Sequence, residues 1–165
     1  MQIRILGCSG GIGANLRTTS LLIDNDILID CGTGVGDLDI DEMVDIRHVF
    51  LTHSHMDHIA CLPLLVDTLF EKYHKTPLTL HCQPETYEVI ARHIFNWEIW
   101  PNFFELPDKD NAVIRYSPLL SGQIRRINGR SIETVKVNHS VPGAAYRIAN
   151  HRSAMAYSGD TTTND

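Results

Sequence analysis

With 165 residues, 43% of them hydrophobic and 21% charged, the chain is long enough to form one domain with a substantial buried core. Its formal charge of −6 gives no long-range attraction for nucleic acid or an anionic membrane, and no apolar run approaches a membrane span. An anionic small substrate stays compatible with that charge, because a bound cation dominates its own surroundings. Cys8, Cys31, Cys61 and Cys82 form no C-x-x-C pair. In a chain of this length they read as reduced thiols of a cytoplasmic protein rather than as a disulfide framework.

In chain order, residues 3–6 read as a short strand that ends in the glycine-rich run from Gly7 to Gly13. A dinucleotide-binding loop would need a helix directly after those glycines, with its N-terminus facing a pyrophosphate. Residues 18–23 and 27–29 are instead β-branched and leucine-rich around Asp24-Asn25-Asp26, which predicts a hairpin, so the dinucleotide reading is set aside. Residues 27–30 lead into the turn Cys31-Gly32-Thr33-Gly34-Val35-Gly36, with Asp30 expected to tie that turn down by accepting hydrogen bonds. A short helix over 39–45 and a strand over 48–52 follow.

That strand delivers Thr52-His53-Ser54-His55-Met56-Asp57-His58. In extended chain His53 and His55 point to one side. Asp57 and His58 then open a stretch whose composition suits a helix. Imidazoles and a carboxylate brought to one small volume are the mixed nitrogen and oxygen donors that borderline divalent ions take. Chance placement of such a cluster in this composition is roughly one in a thousand, and the stretch is read as a metal site.

The apolar spacing of Leu62, Leu65, Val66, Leu69 and Phe70 predicts one helix over 59–73, with Pro63 in its first turns. A strand over 78–82 and a helix over 84–95 come next. Residues 96–107 carry Trp97, Trp100, Phe103 and Phe104 without clean periodicity, as either an ordered loop near a cleft or a cover over a core edge. Short strands are predicted over 113–116, 123–127, 132–137, 144–148 and 154–157, with Asn128-Gly129 as a hairpin turn. Strands, two helices and then more strands imply layered α/β packing. His139 and Asp160 each lie just after a strand, where a sheet positions functional groups.

Asp30 with Gly32 and Gly34, His53-x-His55-x-Asp57-His58, His139 and Ser158-Gly159-Asp160-Thr161 together resemble the metallo-β-lactamase superfamily over the whole chain. Less diagnostic segments (6–13, 28–38, 93–101 and 137–142) are similar to its class II-like 3′,5′-cyclic-nucleotide phosphodiesterases. The resemblance implies an αββα sandwich formed as one domain over residues 1–165, with metals at one edge of the two sheets. It assigns His53, His55 and His139 to one ion, Asp57 and His58 to a second, and Asp160 to both, with Asp57 also catalytic and Asp30 supporting from behind. It implies a hydrolase that uses a hydroxide bridging two divalent ions, zinc preferred and manganese or iron compatible, acting on a phosphodiester such as a cyclic nucleotide.

The alternatives are another ester, a thioester or a lactone as substrate, a tRNA 3′-processing nuclease-like enzyme, and a non-catalytic metal-binding or interaction module. A small-molecule ester is the expected partner; nucleic acid and membrane are not, and a homo-oligomer is compatible. The family completes its second site with a later histidine that has no match here, so the C-terminal part of the fold is expected to be missing. The half sandwich would then leave a sheet edge and an apolar face open.

Overall fold

Strands buried on both faces read as near-continuous apolar runs, and β2 (Ser20–Ile23), β3 (Ile27–Ile29), β4 (His48–Phe50) and β5 (Leu78–Cys82) are of this kind. The computed structural model describes residues 1–163. In it these four strands form a six-stranded sheet with β1 (Ile3–Gly7) at one edge and β6 (Ile114–Pro118) at the other. The β1–β2–β3 part is antiparallel and β3 to β6 parallel. A second, antiparallel sheet has the order β10 (Ala154–Tyr157), β9 (Gly143–Ala149), β8 (Arg130–Val137), β7 (Ile124–Ile127).

The two-residue alternation of the first sheet separates two cores. Leu22, Leu28, Val49 and Leu80 face the helices, together with Leu62, Leu65, Val66, Leu69, Tyr73 and Ile90. Leu21, Ile23, Ile27, Ile29 and Phe50 face the second sheet, where they meet Ile132, Ala144, Tyr146 and Ile148. The layers are therefore helix, sheet and sheet. The outer face of the second sheet mixes a few charged side chains with small apolar ones. By strand register it carries Glu133, Arg147 and the small Ala145, Ala149, Ala154 and Ala156, and among the described residues no helix covers it. Ile124 and Val135 are the large apolar residues left exposed there.

The hairpin around Asp24-Asn25-Asp26 forms as expected, and Asn128 (φ 47°) and Gly129 (φ 80°) make the second tight turn. Arg130, 5% exposed, joins the two turns by donating to Asp24 at 2.9 Å and to both carboxylate oxygens of Asp26 at 2.7 Å. The short helix α1 (Ile40–Met43) starts at Asp39, which shares a reciprocal capping box with Glu42.

The single helix predicted over 59–73 is instead three pieces, α2 (Met56–Ile59), α3 (Leu62–Thr68) and α4 (Phe70–Lys75). The first break occurs where the Cys61 N–H bonds the Cys31 carbonyl across to the end of β3. The second is at Leu69, whose φ of −110° turns the chain while Leu69 and Tyr73 stay in the core. After α5 (Pro84–His93), residues 96–107 cover a core edge: Phe103 is buried in the helix-side core, and Trp100, Phe104 and Leu106 pack against it.

Between the sheets His81 stacks on Phe50 (centroids 4.2 Å apart, 11° between planes), and its Nε2 lies 3.1 Å from His48 Nδ1. Burial, then the charges of His48 and Arg125, push the His81 pKa down to about 3. Burial also lowers His48, against the pull of Asp26. A folded pKa below the unfolded value of about 6.5 means that stability is full above that pH and lost as pH falls toward 3. Urea unfolding from pH 6.5 to 4.5 should show the wild type losing on the order of 1 kcal/mol per pH unit more than His81→Leu. Parallel pH profiles would refute this role for His81.

Candidate metal centre

Each candidate side chain follows the end of a strand. The chain leaves β4 at Phe50, stays extended through His55 (φ −66°, ψ 147°) and enters α2 with Asp57 and His58 in its single turn. The two-residue spacing puts the His53 and His55 rings 4.6 Å apart, and the turn of helix brings His58 to 4.2 Å from His53.

Behind them Asp30 ends β3 in the left-handed region (φ 58°) and is wholly buried. Its carboxylate accepts from the Thr52 N–H at 2.8 Å, from the Thr52 hydroxyl at 2.9 Å and from His58 Nδ1 at 2.7 Å. The Thr52 hydroxyl has one proton to give, and Asp30 takes it, so at 3.0 Å His53 Nδ1 must donate to Thr52 Oγ1. One carboxylate therefore fixes the tautomer of two imidazoles, leaving the Nε2 lone pairs of His53 and His58 directed away from it. The sequence reading gave Thr52 no role beyond ending the strand; its place directly before His53 is the signal that could have found it.

His139 follows β8, with its Nε2 3.2 Å from His55 Nδ1 and its ring 4.7 Å from that of His53. Asp160 follows β10. The preceding Gly159 (φ 59°) lies so close to Thr52 that a Cβ there would be 2.9 Å from the threonine Cβ. That contact presses the turn onto the end of β4 and sets Asp160 Oδ1 3.5 Å from His58 Nε2. Asp57 Oδ2 lies at the same 3.5 Å from His58 Nε2, with Gly10 of the glycine-rich run beside it.

Two sets of donor atoms lie within 4.8 Å of one another: His53, His55 and His139, and His53, His58 and Asp160. The second holds His53 where the resemblance puts Asp57. The donors suit a divalent ion on an independent count as well, because His53 Nε2 is buried with no hydrogen-bond partner among the described residues, an arrangement that is costly unless the lone pair is used. Burial, and then the neighbouring charges of His58, His55 and His139, push the His53 pKa down to about 3, so it is a neutral imidazole that the site offers to an ion. His58 goes the other way: burial lowers it, but the hydrogen bond and charge of Asp30, with Asp57 and Asp160, raise it overall. The four cysteines are free, and all but Cys8 are buried. No helix among the described residues is long and apolar enough to cross a membrane.

Two facing sheets with helices outside, and a histidine and aspartate cluster at the strand ends, define a metal-site α/β sandwich. The chain belongs to the beta-lactamase superfamily domain family, whose model matches residues 25–165. It is 35% identical over 92 residues to a ribonuclease Z of Halorubrum lacusprofundi, a match covering 52% of this chain and 30% of that protein. It is 27% identical over 127 residues to a probable 3′,5′-cyclic-nucleotide phosphodiesterase of Yersinia pestis, covering 73% and 34%.

Among solved structures, unliganded yeast PDE1 superimposes with a TM-score of 0.79 at 17% identity, covering 99% of this chain and 66% of that one. The metallo-beta-lactamase fold protein YhfI of Bacillus subtilis gives 0.74 at 20% identity, covering 99% and 63%. The chain thus spans less than two thirds of the length of each of these four proteins.

Proposed function

We propose that this chain carries the dinuclear metal centre of a phosphodiester hydrolase whose substrate is a cyclic nucleotide. The observation that carries the reading is the pair of donor sets joined through His53, in a chain whose relatives include proteins named cyclic-nucleotide phosphodiesterase and ribonuclease Z. His53, His55 and His139 would hold one ion, Asp57 and His58 a second, and Asp160 would serve both, with zinc the preferred metal for this nitrogen-rich set. When bound, two such ions supply Lewis acidity that makes water nucleophilic near neutral pH and offsets phosphate charge.

The chain's own residues do the rest. Asp30 and Thr52 hold the imidazoles in one tautomer. Asp57, 27% exposed and beside Gly10, would orient the attacking water from its place at the second ion.

The test is turnover of bis-p-nitrophenyl phosphate and cyclic AMP by the protein with and without added zinc, alongside elemental analysis. Zinc-dependent hydrolysis of both is expected, and Asp57→Asn should lower kcat by about a hundredfold or more. No metal-dependent turnover of either substrate would reject the reading. A second reading, cleavage of tRNA precursors, is favoured by the several relatives named ribonuclease Z that match up to 92% of the chain. It predicts faster cleavage of a tRNA precursor than of cyclic AMP.

A further inference from the structure

His139 also lines a cleft that contains no other member of the candidate ligand set. It encloses about 440 Å³ between the start of α5, the turn before β7, the end of β8 and the 138–143 loop. Small-molecule sites measure about 300–1,000 Å³. The lining combines the apolar Leu120, Val141 and Pro142 with the polar Gln83, Glu85 and Lys136.

Gln83 is only 9% exposed, and its Nε2 donates to the Gly143 carbonyl at 3.3 Å. A carbonyl only accepts, so this bond fixes which way the amide faces. Gln83 Oε1 is left as an acceptor with no protein partner among the described residues. Glu85 adds a second acceptor. Neither it nor Lys136 enters an ion pair among the described residues.

We propose that this cleft seats the nucleoside arm of the substrate. Its hydroxyl or amino groups donate to Gln83 and Glu85, an acceptor on its base meets Lys136, and a face of the base lies on Leu120 and Val141. The proposal rests on the phosphodiester reading above and adds which part of the substrate sits where. An acyl chain or simple lactone would cover two acceptors without satisfying them, which is costly. A second anionic group would meet the Glu85 carboxylate. A nucleoside offers both the donors and the flat apolar face that the walls require.

Glu85→Ala and Lys136→Ala, both at exposed positions, should each lower the ratio of kcat/KM for cyclic AMP to that for bis-p-nitrophenyl phosphate by about tenfold, through KM for the nucleotide. Independently of turnover, adenosine titrated into the metal-free chain should shift the amide NMR signals of Ser121, Lys136 and Gly143, with smaller shifts in Glu85→Ala. An unchanged ratio, or adenosine shifts confined to other parts of the chain, would overturn the proposal. If no phosphodiester turns over at all, the functional reading falls by itself, and the adenosine titration then decides the cleft.

Discussion

Replacing Asp30 by asparagine should reduce the metal bound at the proposed centre from two ions to one while leaving the fold in place. The amide oxygen can still accept from the Thr52 N–H and hydroxyl, which lie within 3.0 Å of Asp30 Oδ1. His53 therefore keeps its proton on Nδ1, where it donates to Thr52. At His58 the outcome reverses. The new amide nitrogen faces the ring nitrogen that the carboxylate holds at 2.7 Å, and two donors cannot share that bond. His58 must then accept at Nδ1 and carry its proton on Nε2, the atom that points to Asp57 and Asp160.

A protonated Nε2 cannot ligate, so affinity at the second ion should fall by about 10–100-fold, the usual cost of losing a supporting hydrogen bond behind a metal-bound histidine. Stability should fall by about 1–3 kcal/mol, because a buried charge-assisted bond is replaced by a neutral one. Elemental analysis with a zinc titration reads the first effect, and histidine nitrogen shifts read the tautomer. Retention of both ions at wild-type affinity would remove Asp30 from its supporting role. Asp30→Ala should do more damage, since it leaves the buried Thr52 N–H unpaired and His58 Nδ1 with only the Thr52 hydroxyl at 3.4 Å, and disturbs His53 as well.

The same contacts explain how much of the molecule was legible beforehand. β2 to β5 could be read because burial on both faces leaves continuous apolar runs, and the two hairpins because their turn residues tolerate positive φ. His53, His55, Asp57 and His58 could be read because their proximity is local, fixed by two residues of extended chain and one helical turn. His139 and Asp160 were recognisable as candidates only from their places after strands and from the family likeness. Their approach to His55 and His58 depends on the second sheet docking on the first.

The roles of Thr52 and Gln83 went unread, since they arise from partners 22 and 60 residues away. The split helix went unseen for a related reason. Its apolar period is unbroken through Leu69, and what interrupts it is a backbone bond from Cys61 to the far end of β3. Local pattern carries the elements and the cluster, while cross-chain hydrogen bonds decide how the cluster is aimed.

Gly32→Ala should be among the most destabilising single substitutions in the chain, and it should weaken metal binding without touching a ligand. A Cβ at Gly32 would lie 2.5 Å from the Asp57 carbonyl oxygen, 2.5 Å from Thr18 Oγ1 and 2.6 Å from the Thr19 carbonyl oxygen. Two of those three atoms are backbone, so no side-chain rotation relieves the clash. The Gly32 N–H bonds the Thr19 carbonyl at 3.0 Å, and Thr18 and Thr33 exchange two further bonds at 2.8 Å, which holds this turn against the start of β2. Relief must come from moving the turn away from residue 57, and that changes the position of Asp57 relative to His58.

A loss of about 3 kcal/mol in urea unfolding is expected, at the upper end for overpacking because the strand pairing around it cannot yield. Gly36→Ala is the internal control: it lies in the same turn, with no atom within 4 Å of its added Cβ. Its stability should stay within about 0.5 kcal/mol of wild type. Equal unfolding midpoints for the two variants would mean that the turn yields freely and that Gly32 does not hold Asp57 in place. A large loss confined to Gly32→Ala, with weakened zinc binding at the second ion, would tie the packing of the turn to the geometry of the metal centre.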